Sequence, residues 1–259
     1  MNNIAQLITS AAAAVPHTAY GTFQQQDRLD RVVERARKLV FLSDYFTHWM
    51  SGRWACEAGV AGLSGIAEAR ALRWWAPAIA ALRLRDDFLP PIVRAGTDIG
   101  PVSPLRAAQL GLPANCRFII GCLDQYGGAI GTGTIQPGRA CETTGTVLSA
   151  VRCAAEMRDD VSAGVFQGPA FAPGRFFQMS FSSSSANLLQ WYRDQLPGKP
   201  SFDALMAQAL NADDEVIIEP ADADGSIARS FRRVKPAHTP GQVVRGIMRC
   251  VANVLAKQI

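Results

Sequence analysis

Asp124 is the residue that its neighbours best equip to move a proton. It follows an apolar run, Phe118-Ile119-Ile120, closed by Gly121. That pattern reads as a buried strand that delivers a carboxylate to its tip, where a crevice can hold a ligand. Gly127, Gly128, Gly131 and Gly133 come next, and then Thr143-Thr144-Gly145-Thr146. Glycine lets backbone N–H groups approach an oxyanion closely, and threonine hydroxyls add donors, so both clusters suit phosphate. With a carboxylate beside them the chemistry is phosphoryl transfer: Asp124 would accept the proton of a substrate hydroxyl as that oxygen attacks a γ-phosphate. Two plainer readings stay open. Asp124 can cap a turn or a helix, and the glycines can be turns only. The spacing matches neither the Walker lysine motif nor a G-x-G-x-x-G that opens a helix, which disfavours a P-loop or a Rossmann site.

The elements that would position these residues alternate in type. Apolar residues at helical spacing predict a helix over residues 28–50, interrupted near Ser43-Asp44, and one or two short helices over residues 67–84 around the Trp74-Trp75 pair, read as core. Residues 89–93 read as an extended connector and 96–100 as a short strand. Ser103 as cap, Pro104 in the first turn and Gly111 as stop define a helix between them. Strand, crossover helix and strand then point to an α/β arrangement. Past Pro137-Gly138 the pattern turns to strands and hairpins over 140–153 and 164–181, followed by a helix over 186–196. A domain boundary is expected near residue 136. A last helix is expected over 239–259, with Val243, Val244, Ile247, Met248, Val251 and Leu255 on its apolar stripe.

Composition narrows the class. The 259 residues are 48% hydrophobic and 19% charged, with a net charge of +4. The basic residues are scattered among acidic ones rather than gathered with aromatics, so no nucleic-acid footprint is evident. Six cysteines at 56, 116, 122, 141, 153 and 250 form no C-x-x-C pair, and only three histidines accompany them. That suggests neither a zinc cage nor a disulfide framework and fits reduced thiols in a cytoplasmic protein. His48 and His238 read as structural. No apolar run reaches bilayer length, and the apolar residues 8–15 lack a preceding Lys or Arg, so neither a membrane nor a secreted location is expected. Ser182 to Ser185 read either as a phosphate-contacting loop ahead of a helix N-terminus or as a cap with spare serines.

Several motifs in sequence order resemble the FGGY carbohydrate kinases. Residues 44–52, DYFTHWMSG, resemble the family's D-Y-L-x-x-x-L-T-G. Residues 57–64 fall where it has D-x-S-x-A-x-x-T, and residues 89–100 are similar to L-P-x-V-x-x-x-G-x-x-x-G. Asp124 sits in a G-x-x-D like the one that carries the family's catalytic aspartate, and Gly145-Thr146 match its second phosphate motif. Residues 188–194, LLQWYRD, resemble x-x-Q-W-L-R-D, although Ala186 stands where the family has glycine. The tail from Phe231 through His238-Thr239 to Ala252 is also similar, with Arg249 and Cys250 where Glu and Gly are expected.

The resemblance covers residues 20–259 and implies an actin-like, ribonuclease-H-like α/β fold of two domains. Residues 20–136 would belong to the sugar-binding domain and 137–259 to the nucleotide-binding domain, after an atypical segment 1–19. It implies an ATP- and Mg2+-dependent phosphotransferase for a sugar or polyol, with Asp124 as general base and Gln125 on the substrate. Thr144, Gly145, Thr146, Ala186 and Gln190 would bind nucleotide, and no residue is assigned to a metal. The family's opening D-x-G-T hairpin and its adenosine-binding G-G-G segment have no counterpart here. The expectation is therefore a chain incomplete in both domains, whose unpaired sheet edge favours homo-oligomers. A catalytically inactive remnant that binds a sugar or a partner is the alternative, and a nucleotide-binding regulator is a third reading.

Overall fold

The computed structural model describes residues 36–145, 147–162, 164–221 and 226–258. The opening segment, the 28–35 part of the first expected helix, and Thr146 lie outside them. Two compact units form. The first holds the described residues up to Pro137 together with Cys153–Gln178, and the second holds Gly138–Arg152 and Met179–Ile259.

The first unit begins with α1 (Leu42–Ser51), β1 (Cys56–Glu57), α2 (Ala58–Leu63), β2 (Ala67–Glu68), β3 (Arg73–Trp74), α3 (Ala76–Ala81) and β4 (Ile92–Val93). It continues with β5 (Asp98–Pro101), α4 (Pro104–Leu110), β6 (Arg117–Ile119) and α5 (Asp124–Gly131). Helix α1 starts at Leu42 rather than earlier. Phe41 is extended, and its N–H donates to Asp44 Oδ2 at 3.0 Å, so the Ser43-Asp44 site expected to interrupt a helix is where one begins. Of the one or two short helices expected over residues 67–84, one forms, α3, and a hairpin stands ahead of it. Strands β2 and β3 pair antiparallel, Trp75 caps α3, and the half-buried Trp74 donates its indole N–H to Pro90 O at 2.7 Å. Helix α4 matches its expected limits: the Ser103 side chain accepts Arg106 N–H and Gly111 is left-handed. It is no parallel crossover, because β5 and β6 are antiparallel. The parallel pair is β1 with β4, in register Cys56↔Ile92 and Glu57↔Val93. Strand β6 is also less buried than its apolar run suggests: Ile120 is 5% exposed but Ile119 is 50% exposed.

The chain continues through β7 (Ala140–Thr144), β8 (Leu148–Ala154), β9 (Phe166–Pro169) and β10 (Phe176–Ser182), which join in the order β7-β8-β10-β9. Helices α6 (Ala186–Gln195), α7 (Phe202–Leu210), α8 (Ile227–Ser230) and α9 (Pro240–Ala256) complete the second unit. Their core gathers Leu188, Leu205, Val216, Phe231, Val243, Val244 and Ile247. Met248 departs from the expected stripe at 46% exposed, and Gly246 and Cys250 are buried in its place. Thr239 opens α9 with a capping box: its hydroxyl accepts Gln242 N–H, and the Gln242 amide accepts Thr239 N–H. Thr239→Ala should cost about 1 kcal/mol in urea unfolding. A loss below the error of that measurement would show that water replaces the cap.

Candidate active site

Asp124 is the first residue of α5 and Leu123, extended, is its N-cap. The Asp124 carboxylate is exposed and, among the described residues, accepts only a local bond, from Gln125 N–H at 2.9 Å. Gln125 is half-buried. Acid at the first turn of a helix is favoured by the free N–H groups there, which accounts for where the helix starts. The turn is held from below by Tyr126, which is 3% exposed and meets the Phe177 ring at 4.7 Å between centroids. Burial, and then the charge of Glu57, push the Tyr126 phenol up, so it stays protonated.

Two acids are buried in the same unit, and the residue types alone gave neither a role. Glu57 is 6% exposed and N-caps α2, with Oε2 accepting Val60 N–H at 3.0 Å. Burial raises its carboxyl above the ordinary range, opposed by the N–H groups of Gly59, Val60 and Leu123. Asp44, 1% exposed, is likewise raised by burial and held back by Phe41 N–H and by the thiol of Cys56. The legible signal was an acid directly before an apolar helix start, the pattern of a cap.

In the second unit the residues expected to bind nucleotide come together in part. Gly145 forms the turn of the β7–β8 hairpin, in which Thr143 pairs with Ser149 and Thr144 with Leu148. The Thr144 hydroxyl donates to the Glu142 carboxylate. Ser185, fully buried, donates its hydroxyl to Gly145 O at 2.8 Å, which fastens the hairpin turn to the start of α6 at Ala186. Ser185 N–H is taken by Asn187 Oδ1, and Asn187 Nδ2 reaches back to Ser183 O. The serine run is thus neither a plain cap nor spare: Ser184 accepts Ala221 N–H at 2.7 Å and Ser185 ties the turn. Gln190 stands one turn along α6 and donates to Asp194. The space about the Gly145 Cα is open. The remaining candidates are structural. His48 stacks on Trp54 at 3.8 Å, and His238 Nδ1 accepts Lys235 N–H. All six cysteines are free, and no described helix is long and apolar enough to cross a membrane.

Comparison with known proteins places this geometry. Autoinducer-2 kinase of Escherichia coli K12 is 27% identical over 212 residues, which are 82% of this chain and 38% of that protein. The Yersinia enterocolitica autoinducer-2 kinase is 26% identical over 211 residues. The chain thus spans well under half the length of these relatives. Among solved structures, a ligand-bound xylulose kinase from Lactobacillus acidophilus superposes with a TM-score of 0.80 at 18% identity, over 92% of this chain and 51% of that one. Gluconate kinase from the same organism gives 0.78 at 17% identity, over 96% and 53%. These likenesses establish the actin-like α/β fold of the sugar kinases. Residues 24–131, which include α1, Glu57 and the whole Asp124 turn, match the N-terminal domain of the FGGY family of carbohydrate kinases.

Proposed function

We propose that this chain serves the ATP-dependent phosphorylation of a hydroxyl on a sugar or polyol, with Asp124 as general base. The observation that carries the reading is the exposed Asp124 carboxylate on the first turn of α5. It is free of any ion pair among the described residues and is underpinned by buried Tyr126, inside the segment that matches the family. A carboxylate held this way can accept a hydroxyl proton as the oxygen attacks phosphorus, a step that needs positioning and charge more than covalent help. Gln125, beside it and half-buried, offers one donor group and one acceptor to neighbouring hydroxyls of the same substrate.

Nucleotide phosphates fit Thr144, Gly145, Thr146 and the Ala186 start of α6, with Gln190 further along the same helix. The fit rests on the absence of a Cβ at Gly145, on the open space around it, and on the first N–H groups of a ten-residue helix held against it by Ser185. Magnesium carried with ATP would offset the charge of the phosphate oxygens. Ser185→Ala removes the tie and should weaken ATP binding about fivefold, equivalent to about 1 kcal/mol, in calorimetry. Unchanged affinity would assign the bond to folding alone.

The deciding experiment is ADP release from MgATP with polyols, ketoses, aldoses and autoinducer-2, the last because two relatives are named for it. Substrate-dependent release supports the kinase. A folded chain that releases none, yet binds a sugar, refutes it in favour of a binding module.

A further inference from the structure

Three residues at the entry to α5 register against Glu57. The N–H of Leu123, the N-cap, stabilises the ionised Glu57 carboxyl alongside those of Gly59 and Val60. Tyr126 lies on the other side. A Cβ placed on Gly59 would stand 2.9 Å from Glu57 Oε2 and 2.9 Å from Tyr126 Cε2, so the carboxylate and the ring flank a single point that only glycine leaves clear. Tyr126 is confined further by Phe177 and by Gly168, where a Cβ would come within 3.0 Å of the phenol oxygen. The charge of Glu57 is also felt by Cys122, on the near side of Leu123. Residues 122, 123 and 126 therefore meet Glu57 or its field, while Asp124, between them, faces outward. A buried acid is costly unless its lone pairs are satisfied, and here the satisfying groups come from two separate segments, the start of α2 and the start of α5.

We propose that Glu57 is a positioning residue for the reaction: packed across the Gly59 position from the Tyr126 ring, its carboxylate fixes where the Asp124 carboxylate, two residues before that ring, is presented. The proposal rests on the reading of Asp124 as general base. Glutamine keeps the length and shape of the side chain but turns one acceptor oxygen into a donor, which cannot receive an N–H group. Aspartate keeps both acceptors on a shorter arm.

Hydrogen–deuterium exchange on the full 259-residue chain tests the hold directly, with wild type, Glu57→Gln and Glu57→Asp compared. Glu57→Gln should speed exchange over residues 123–127 about tenfold while leaving α4 unchanged, and Glu57→Asp should stay near wild type. In the ADP-release assay Glu57→Gln should lower kcat about tenfold with the KM for ATP unchanged, as a displaced base would. Unchanged exchange at 123–127 overturns the inference. Equal acceleration in α4 also overturns it, because that is the mark of a general loss of stability. Turnover that Glu57→Gln leaves intact overturns the positioning role and spares the kinase reading. A local exchange response with no turnover in any variant supports the hold of Glu57 on the segment and refutes the kinase reading.

Discussion

Asp124→Asn is expected to leave the fold and its melting temperature unchanged and to lower substrate-dependent ADP release by about 10²- to 10⁴-fold, the range in which a general base contributes. The structural half of this expectation follows from the surroundings of the residue. Its carboxylate is exposed and, among the described residues, accepts only Gln125 N–H, a bond that the asparagine oxygen can still receive. No buried partner is stranded, so lost turnover cannot be assigned to misfolding. The chemical half follows from the loss of basicity, since an amide oxygen cannot take a hydroxyl proton near neutral pH. A variant that retains more than about half of wild-type kcat would remove Asp124 from the role of base.

The largest effect on stability is expected at Gly246. Helix propensity alone favours replacing a glycine in the interior of α9, by about 1 kcal/mol for alanine. Packing predicts the opposite sign. A Cβ at position 246 would overlap the carbonyl oxygen of Val216 and stand 3.1 Å from Ile218 Cγ1. Val216 is also anchored to α9 through its N–H to Gln242 O at 3.2 Å, so the obstacle is backbone that cannot swing aside. Gly246→Val should therefore destabilise the second unit by about 3 kcal/mol, at the upper end for overpacking, while Met248→Ala on the exposed face of the same helix should stay within about 0.5 kcal/mol. Urea unfolding of both variants checks the contrast, and a neutral Gly246→Val would mean that the segment at Val216 is free to move.

What could be read from the chain divides by the range of the forces involved. Helix α4 was legible to the residue because Ser103, Pro104 and Gly111 act on backbone within a turn of themselves. The start of α9 at Thr239-Pro240 was legible for the same reason. Within residues 67–84 the helix α3 was legible, but the β2–β3 hairpin ahead of it was not, because strands of two residues carry no periodicity. Ile119 looked like core because its neighbours are apolar, yet as the last residue of β6 it faces outward, and Ile120, just after the strand, is the buried one. At the candidate site the chemistry-bearing residue types were visible, but not what holds them. The contact of Ser185 with Gly145 joins residues far apart in sequence, and so does the meeting of Glu57 and Tyr126 about Gly59.

The route of the chain between the two units bears on how the aspartate comes to be supported. The first unit is not continuous: after Pro137 the chain builds the β7–β8 hairpin of the second unit before it returns with Cys153–Gln178. Phe177, against which Tyr126 rests, belongs to the last few residues of that return. During synthesis Asp124 leaves the ribosome well before the ring that supports its helix, and domains fold as units only once their parts are present. A nascent chain halted or clipped before Gln178 would carry the aspartate on an unsupported turn, so the first unit acquires its proposed chemistry only after translation has passed into the second.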